Sequence, residues 1–145
     1  MKILSIVNQK GGVGKTTTSI NLSACLHKMK RKVLLIDLDP QSNATRGSGI
    51  DSASLKSSVN DVLLDRVSIK ETIVISEHDG YDLLPATPAL TESEVSLVSK
   101  SDREFILKNI LKAISSDYDY ILMDCPPSLN ILTVNALAVS YTHLR

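Results

Sequence analysis

The chain has 145 residues, 43% of them apolar, and its 16 basic and 16 acidic residues leave a formal net charge of zero. That length supports one domain with a real core, and the balanced charge gives no whole-chain reason to expect nucleic acid or an anionic membrane as a partner, so any such site has to be a local patch. The apolar run after Lys2 is too short for a signal peptide or a membrane span, and Cys25 and Cys125 lie too far apart for a paired metal motif, so the expectation is two reduced, buried thiols in a cytoplasmic protein.

Ile3-Leu4-Ser5-Ile6-Val7 reads as a buried strand, and Lys10-Gly11-Gly12-Val13-Gly14-Lys15-Thr16-Thr17 follows it. Glycines let a backbone curl with its N–H groups inward, Lys15 adds a point charge where phosphates would sit, and the Thr16 hydroxyl can ligate Mg²⁺. The strict phosphate-loop pattern G-x-x-x-x-G-K-[ST] asks for glycine where this chain has Gln9, and the chain has Lys10 in addition. A strand, a glycine loop and then a helix is the order that sets phosphates on a helix N-terminus. Leu22, Cys25, Leu26 and Met29 fall at i, i+3, i+4 and i+7, one apolar stripe on a helix running to about Lys30. Its basic end, His27, Lys28, Lys30, Arg31 and Lys32, complements the helix dipole, with a DNA-contacting patch as the alternative.

Val33-Leu34-Leu35-Ile36 is an aliphatic run of the kind found in a parallel strand covered on both faces, and it ends in Asp37-Leu38-Asp39-Pro40-Gln41. Carboxylates at the C-terminal end of such a strand lie where open α/β sheets hold ligands. A calcium loop is excluded by Ser42 and Ser48, which stand where it needs glycine and glutamate. Residues 42–58 read as a surface loop that Gly47 and Gly49 leave free to move; its Asn43-Ala44-Thr45 sequon has no export signal to make it meaningful. A short helix over 59–64 precedes two strands, 73–75 and 81–84, joined by a turn at 78–80, and Pro85-Ala86-Thr87-Pro88 ends the second. Leu107, Ile110, Leu111 and Ile114 repeat the helical stripe over 102–116. Tyr120-Ile121-Leu122-Met123-Asp124 is the last clear strand; its closing aspartate suits a carboxylate that holds Mg²⁺ through water, and a helix over 130–139 follows Cys125-Pro126-Pro127-Ser128. Alternating strands and helices predict an α/β fold with a mainly parallel twisted sheet and helices on both faces.

With these motifs in hand, the chain resembles the ParA/Soj family, the deviant-Walker-A ATPases of bacterial chromosome and plasmid partition. The resemblance runs from Met1 to about Ala138 and includes Gly80-Tyr81-Asp82-Leu83-Leu84-Pro85-Ala86-Thr87-Pro88. It implies a P-loop NTPase fold, ATP and Mg²⁺ as cofactors, and an ATPase that dimerises on ATP, binds DNA non-specifically and is stimulated by a ParB-like partner. Lys10, Gly11, Gly12, Val13, Gly14, Lys15, Thr16 and Thr17 resemble the nucleotide-binding loop. Of these, Lys10 resembles the signature lysine that reaches the partner's nucleotide, Lys15 the lysine on the β- and γ-phosphates, Thr16 the direct Mg²⁺ ligand and Thr17 an α-phosphate contact. Asp39 resembles the residue that orients the attacking water, and Asp37 and Asp124 the carboxylates that hold Mg²⁺ through its waters. Two cross-dimer lysines would stabilise charge on the transferring phosphoryl group.

Relatives in the same superfamily supply the alternatives: a MinD-type membrane regulator, distinguished by a C-terminal amphipathic helix, and an iron–sulfur carrier or reductase, distinguished by cluster cysteines. Asp39-Pro40-Gln41 favours partition, without membrane attachment and with nucleoid association in the full-length family. Residues 1–139 therefore read as the N-terminal part of the ATPase domain. Residues 140–145 read as a disordered tail unlike the family, from a truncated or misjoined frame. The C-terminal portion, with the DNA-binding residues, is expected to be missing, which leaves an impaired or inert fragment and an unpaired edge on the first strand.

Overall fold

A computed structural model of the chain describes residues 1–7, 10, 12 and 14–140, together with the backbone of 142–144. The strands are β1 (Lys2–Ile6), β2 (Val33–Asp37), β3 (Val74–Ile75), β4 (Asp82–Leu84), β5 (Tyr120–Asp124) and β6 (Thr142–Leu144). The helices are α1 (Lys15–Lys28), α2 (Asn43–Gly47), α3 (Val59–Leu63), α4 (Ile69–Thr72), α5 (Leu90–Ser96), α6 (Ile106–Leu111) and α7 (Ile131–Val139).

The strands form one sheet in the order β3-β4-β2-β5-β1-β6, parallel throughout except for the antiparallel β3–β4 pair. β5 lies between β1 and β2, so the β1-α1-β2 crossover skips a strand and the C-terminal ends of three strands meet: Ile6 is level with Asp124, and Asp124 with Asp37. Every residue of β2 is buried, and alternate side chains go to opposite faces. Leu34 and Ile36 join Ile121, Met123 and side chains of α3 to α7 on one face, whereas Val33 and Leu35 join Leu122, Tyr81 and the α1–α2 side on the other. This is the predicted fold class, with helices on both faces.

Five expectations change. The apolar stripe of α1 is only half used: Leu22 and Leu26 are partly buried and pack on the core beside the buried Ser19, Ser23 and Ala24, while Cys25 is exposed and Met29 is 66% exposed. The cause lies outside the helix, because hydrogen bonds from Thr16 and Ser19 to Asp124 turn their side of α1 toward the sheet. Of the two thiols, only Cys125 is buried.

Residues 42–58 are not a free loop. α2 occupies their start, with Ser42, Ala44, Thr45 and Ser48 all buried, and the end of the Ile20 side chain of α1 lies against Gly47, where a Cβ would have to displace it. The helix expected over 102–116 is α-helical only in α6 and tightens to 3₁₀ turns at Arg103–Phe105 and Lys112–Ile114.

The tail, expected to be disordered and to leave β1 with an open edge, instead runs parallel beside β1, with Leu4 level with Thr142 and Ile6 with Leu144. An open strand edge offers a ladder of unpaired backbone groups, and the exit from α7 is already fastened beside it. Ser5 Oγ donates to Ala136 O at 2.9 Å and lies 2.8 Å from Ser140 Oγ.

Candidate functional site

Where β1 ends, the chain turns through Gly12 (φ 73°) and Gly14 (φ 87°) into α1. A Cβ at either glycine would meet nothing within 4 Å, so the left-handed backbone, and not crowding, is what calls for glycine, and the space in front of the loop is open. Gly14 is the N-cap of α1, with no side-chain cap and no acidic residue in the first turn. The first N–H groups of a 14-residue helix therefore face the open loop at the positive end of the helix dipole. An anion is the natural complement of that arrangement.

A cavity of about 510 Å³ opens here, lined by the predicted Gly12, Gly14, Lys15, Thr16, Thr17 and Asp39, and also by Gln41, Asn43 and Pro127. Lys15 Nζ donates to Lys10 O at 3.4 Å across the loop, and Lys10 itself is exposed. Gly11 and Val13 of the predicted set lie outside the described residues.

The three predicted aspartates converge from β2, its exit loop and β5, but their surroundings differ. Asp124 accepts from Thr16 Oγ1 at 2.8 Å and from Ser19 Oγ at 2.9 Å. Burial pushes its carboxyl up from the usual range, and those two hydrogen bonds oppose the shift. Asp39 is 8% exposed, caps the turn by accepting from Gln41 N at 2.9 Å, and lies on the cavity wall. Asp37 is wholly buried behind that wall. Its Oδ1 accepts from Asp39 N (3.1 Å), and its Oδ2 accepts from Thr45 N (2.9 Å) and Thr45 Oγ1 (2.7 Å). Burial is the first cause that raises its carboxyl to about 7, and the nearby Asp124 adds to the rise.

The donor set fits a divalent cation held mainly by phosphate and water oxygens. Among the described residues no group of three His, Cys, Asp or Glu side chains could hold a metal directly. One hydroxyl, Thr16 Oγ1, stands on the cavity wall with the Asp124 carboxylate at hydrogen-bond distance behind it. That pairing suits a Mg²⁺ ion, which keeps most of its waters and takes few protein ligands.

Several residues of the site were missed in the sequence. Glu94 of α5 accepts from Asn130 Nδ2 at 3.2 Å, and its carboxyl is raised by burial first and then by the charge of Asp39. Asn130 in turn caps α7, accepting from Leu132 N and Thr133 N. α5 itself was not foreseen, because Leu90, Leu97 and the residues between them show no sustained helical stripe. The helix from 130 was legible, and a capping asparagine ahead of an apolar run is its local signal; the reach of Asn130 to Glu94 was not. No helix among the described residues is long and apolar enough to cross a membrane.

Comparison with known proteins accords with this geometry. The model of a family described as AAA domain matches residues 1–144, which includes the segment set apart as a tail. The sporulation initiation inhibitor protein Soj of Bacillus subtilis is 50% identical over 139 residues, covering 96% of this chain and 55% of that protein. The chromosome partitioning protein ParA of Myxococcus xanthus is 48% identical over 139 residues, covering 96% and 49%. The crystal structure of cobyrinic acid a,c-diamide synthase from Mycobacterium smegmatis with bound ADP and magnesium superposes with a TM-score of 0.96 at 40% identity, covering 99% of this chain and 58% of that one. The chain thus spans about half the length of the curated relatives it matches. From the family match over nearly its whole length, and from the glycine loop at the head of α1 in a parallel sheet, the chain belongs to the ParA/Soj/MinD family of P-loop ATPases.

Proposed function

We propose that this chain carries the nucleotide site of an ATP-dependent dimerising switch of DNA partition, and that its site binds ATP with Mg²⁺ and hydrolyses it. The observation that carries this reading is the uncapped N-terminus of α1 opening on the cavity, with Thr16 bonded to Asp124 beside it. In this reading the glycine loop and the first N–H groups of α1 cradle the phosphates, and Lys15 neutralises the β- and γ-phosphates. Thr16 supplies the direct Mg²⁺ ligand; Asp124, and more remotely Asp37, would hold the ion's waters. When bound, the ion offsets charge on the phosphoryl group. Asp39 orients the attacking water, and Lys10 reaches a second subunit's nucleotide, so that hydrolysis waits for the homodimer. A ParB-like partner and non-specific DNA complete the proposed cycle; the similarity to the chromosome partitioning protein ParA of Myxococcus xanthus supports a role in partition.

Titration calorimetry tests the site. The chain is expected to bind ADP·Mg²⁺, and Lys15→Ala is expected to weaken binding at least tenfold; equal affinity in the two proteins would remove the reading. A second reading, amide formation on an acid substrate, is favoured only by the likeness to the Mycobacterium smegmatis synthase. ATP turnover that proceeds with no carboxylic acid acceptor present would exclude it.

A further inference from the structure

Thr45 lies in the stretch read from sequence as a mobile surface loop. In the structure it is 0% exposed, and its hydroxyl sits in the middle of a continuous chain of hydrogen bonds. Ala86 N donates to Thr45 Oγ1 at 2.9 Å, Thr45 Oγ1 donates to Asp37 Oδ2 at 2.7 Å, and Asp37 Oδ1 accepts from Asp39 N at 3.1 Å. The backbone N–H of Thr45 adds a second bond to Asp37 Oδ2 at 2.9 Å. The chain joins three segments that are distant in sequence: the exit of β2, the first turn of α2 and the exit of β4. The last of these is held in turn by Val59 N donating to Pro85 O at 2.8 Å.

We propose that Thr45 is a positioning residue for Asp39, its hydroxyl locking the Asp37 carboxylate in the orientation that fixes the Asp39 backbone at the phosphate cavity. The proposal rests on the reading of Asp39 as the water-orienting group; the hydrogen-bond chain stands independently of it.

Residues 38–42 carry Asp39 and have few anchors: Leu38 N to Asp124 O at 2.9 Å, Asp39 N to Asp37, Arg46 N to Ser42 O at 3.0 Å, and the internal turn closed by Ser42 N to Asp39 O and Gln41 N to Asp39 Oδ1, both at 2.9 Å. Of these, the bond made by Asp39 itself to the fold runs through Asp37. A buried carboxylate takes whichever rotamer satisfies its oxygens, and here two of its three donors come from Thr45. Valine has the shape of threonine but no hydroxyl. It would strip one bond from Asp37 Oδ2 and leave the Ala86 N–H buried without a partner, whereas serine keeps both bonds. A turn that shifts by even 1 Å at a reacting group can cost about 10²-fold in rate while the phosphates, held by a separate loop, still bind.

Three measurements on wild type, Thr45→Val and Thr45→Ser test this. Amide hydrogen exchange of the unliganded wild type is expected to show the Asp39 and Ala86 amides opening together; independent exchange at the two positions would overturn the proposal without need of any variant. In Thr45→Val both amides are expected to exchange at least tenfold faster, ADP·Mg²⁺ affinity to stay within about twofold of wild type, and kcat for ATP to fall at least tenfold, with Thr45→Ser recovering all three. A Thr45→Val protein that keeps its kcat, or loses affinity and turnover in equal measure, or is not rescued by Thr45→Ser, overturns the positioning role. Failure of wild type to bind ADP·Mg²⁺ would strike the nucleotide reading instead, and the exchange measurement would still decide the hydrogen-bond chain.

Discussion

At the scale of single residues, the chemistry of the site depends on which carboxylates are wet and which are sealed. Asp39 keeps some exposure at the cavity wall, whereas Asp37 and Asp124 lie deep in the C-terminal ends of β2 and β5, where burial raises both above the usual carboxylate range. This has a signed consequence for stability. A carboxyl near 3.8 when unfolded and about 7 when folded binds more protons in the native state between those values, so its contribution is full in acid and is lost as pH rises through about 7. Without nucleotide or Mg²⁺, the urea midpoint is therefore expected to fall between about pH 4 and pH 7, with at most about 4 kcal/mol from Asp37 at 1.36 kcal/mol per pKa unit. Asp37→Asn is expected to flatten the slope, and a wild-type midpoint that rises over this range would refute the assignment. The motif residues Lys15, Thr16, Asp39 and Asp124 were legible because each belongs to a short pattern with a local physical reason. The roles of Thr45 and Glu94 were not, because Ala86, which Thr45 ties to Asp37, and Asn130, which Glu94 accepts from, lie 41 and 36 residues away.

At the scale of elements, α1 shows how a site can override a pattern. Its apolar stripe predicted one buried face, but two hydroxyls bonded to Asp124 turn the helix so that small residues are the most deeply buried, with Leu22 and Leu26 of the stripe partly buried beside them and Cys25 and Met29 left outside. Helix ends matter in opposite ways at the two sides of the cavity. α1 begins with an empty cap, the condition for holding an anion, while α7 begins with a filled one: Asn130 Oδ1 accepts from Leu132 N at 3.0 Å and Thr133 N at 3.2 Å, and Asn130 Nδ2 reaches Glu94. Asn130→Ala is expected to cost about 1 kcal/mol of stability in urea unfolding, the usual loss for an N-cap. An unchanged midpoint would show that the cap contributes nothing here. α5 and the 3₁₀ turns around α6 escaped the sequence reading because their length and register are set by the neighbours they pack between.

At the scale of the whole molecule, one sheet separates two apolar layers, and β2 contributes to both by simple alternation. Leu34 is fully buried in the larger layer, so Leu34→Ala is expected to cost about 2–5 kcal/mol while leaving a single cooperative transition; a loss under 1 kcal/mol would contradict the packing described. The sequence by itself determined the fold class, the succession of the main strands along the chain and the position of the phosphate loop, since periodicity, glycine placement and strand-end carboxylates are local signals. Only the tertiary structure decided that 142–144 lies beside β1, that α1 turns its small residues inward, and that Asp37 is bound by Thr45 and not open to the cavity. Those outcomes depend on which buried polar groups find partners, and a hydrogen bond between distant segments leaves no period in the chain that makes it.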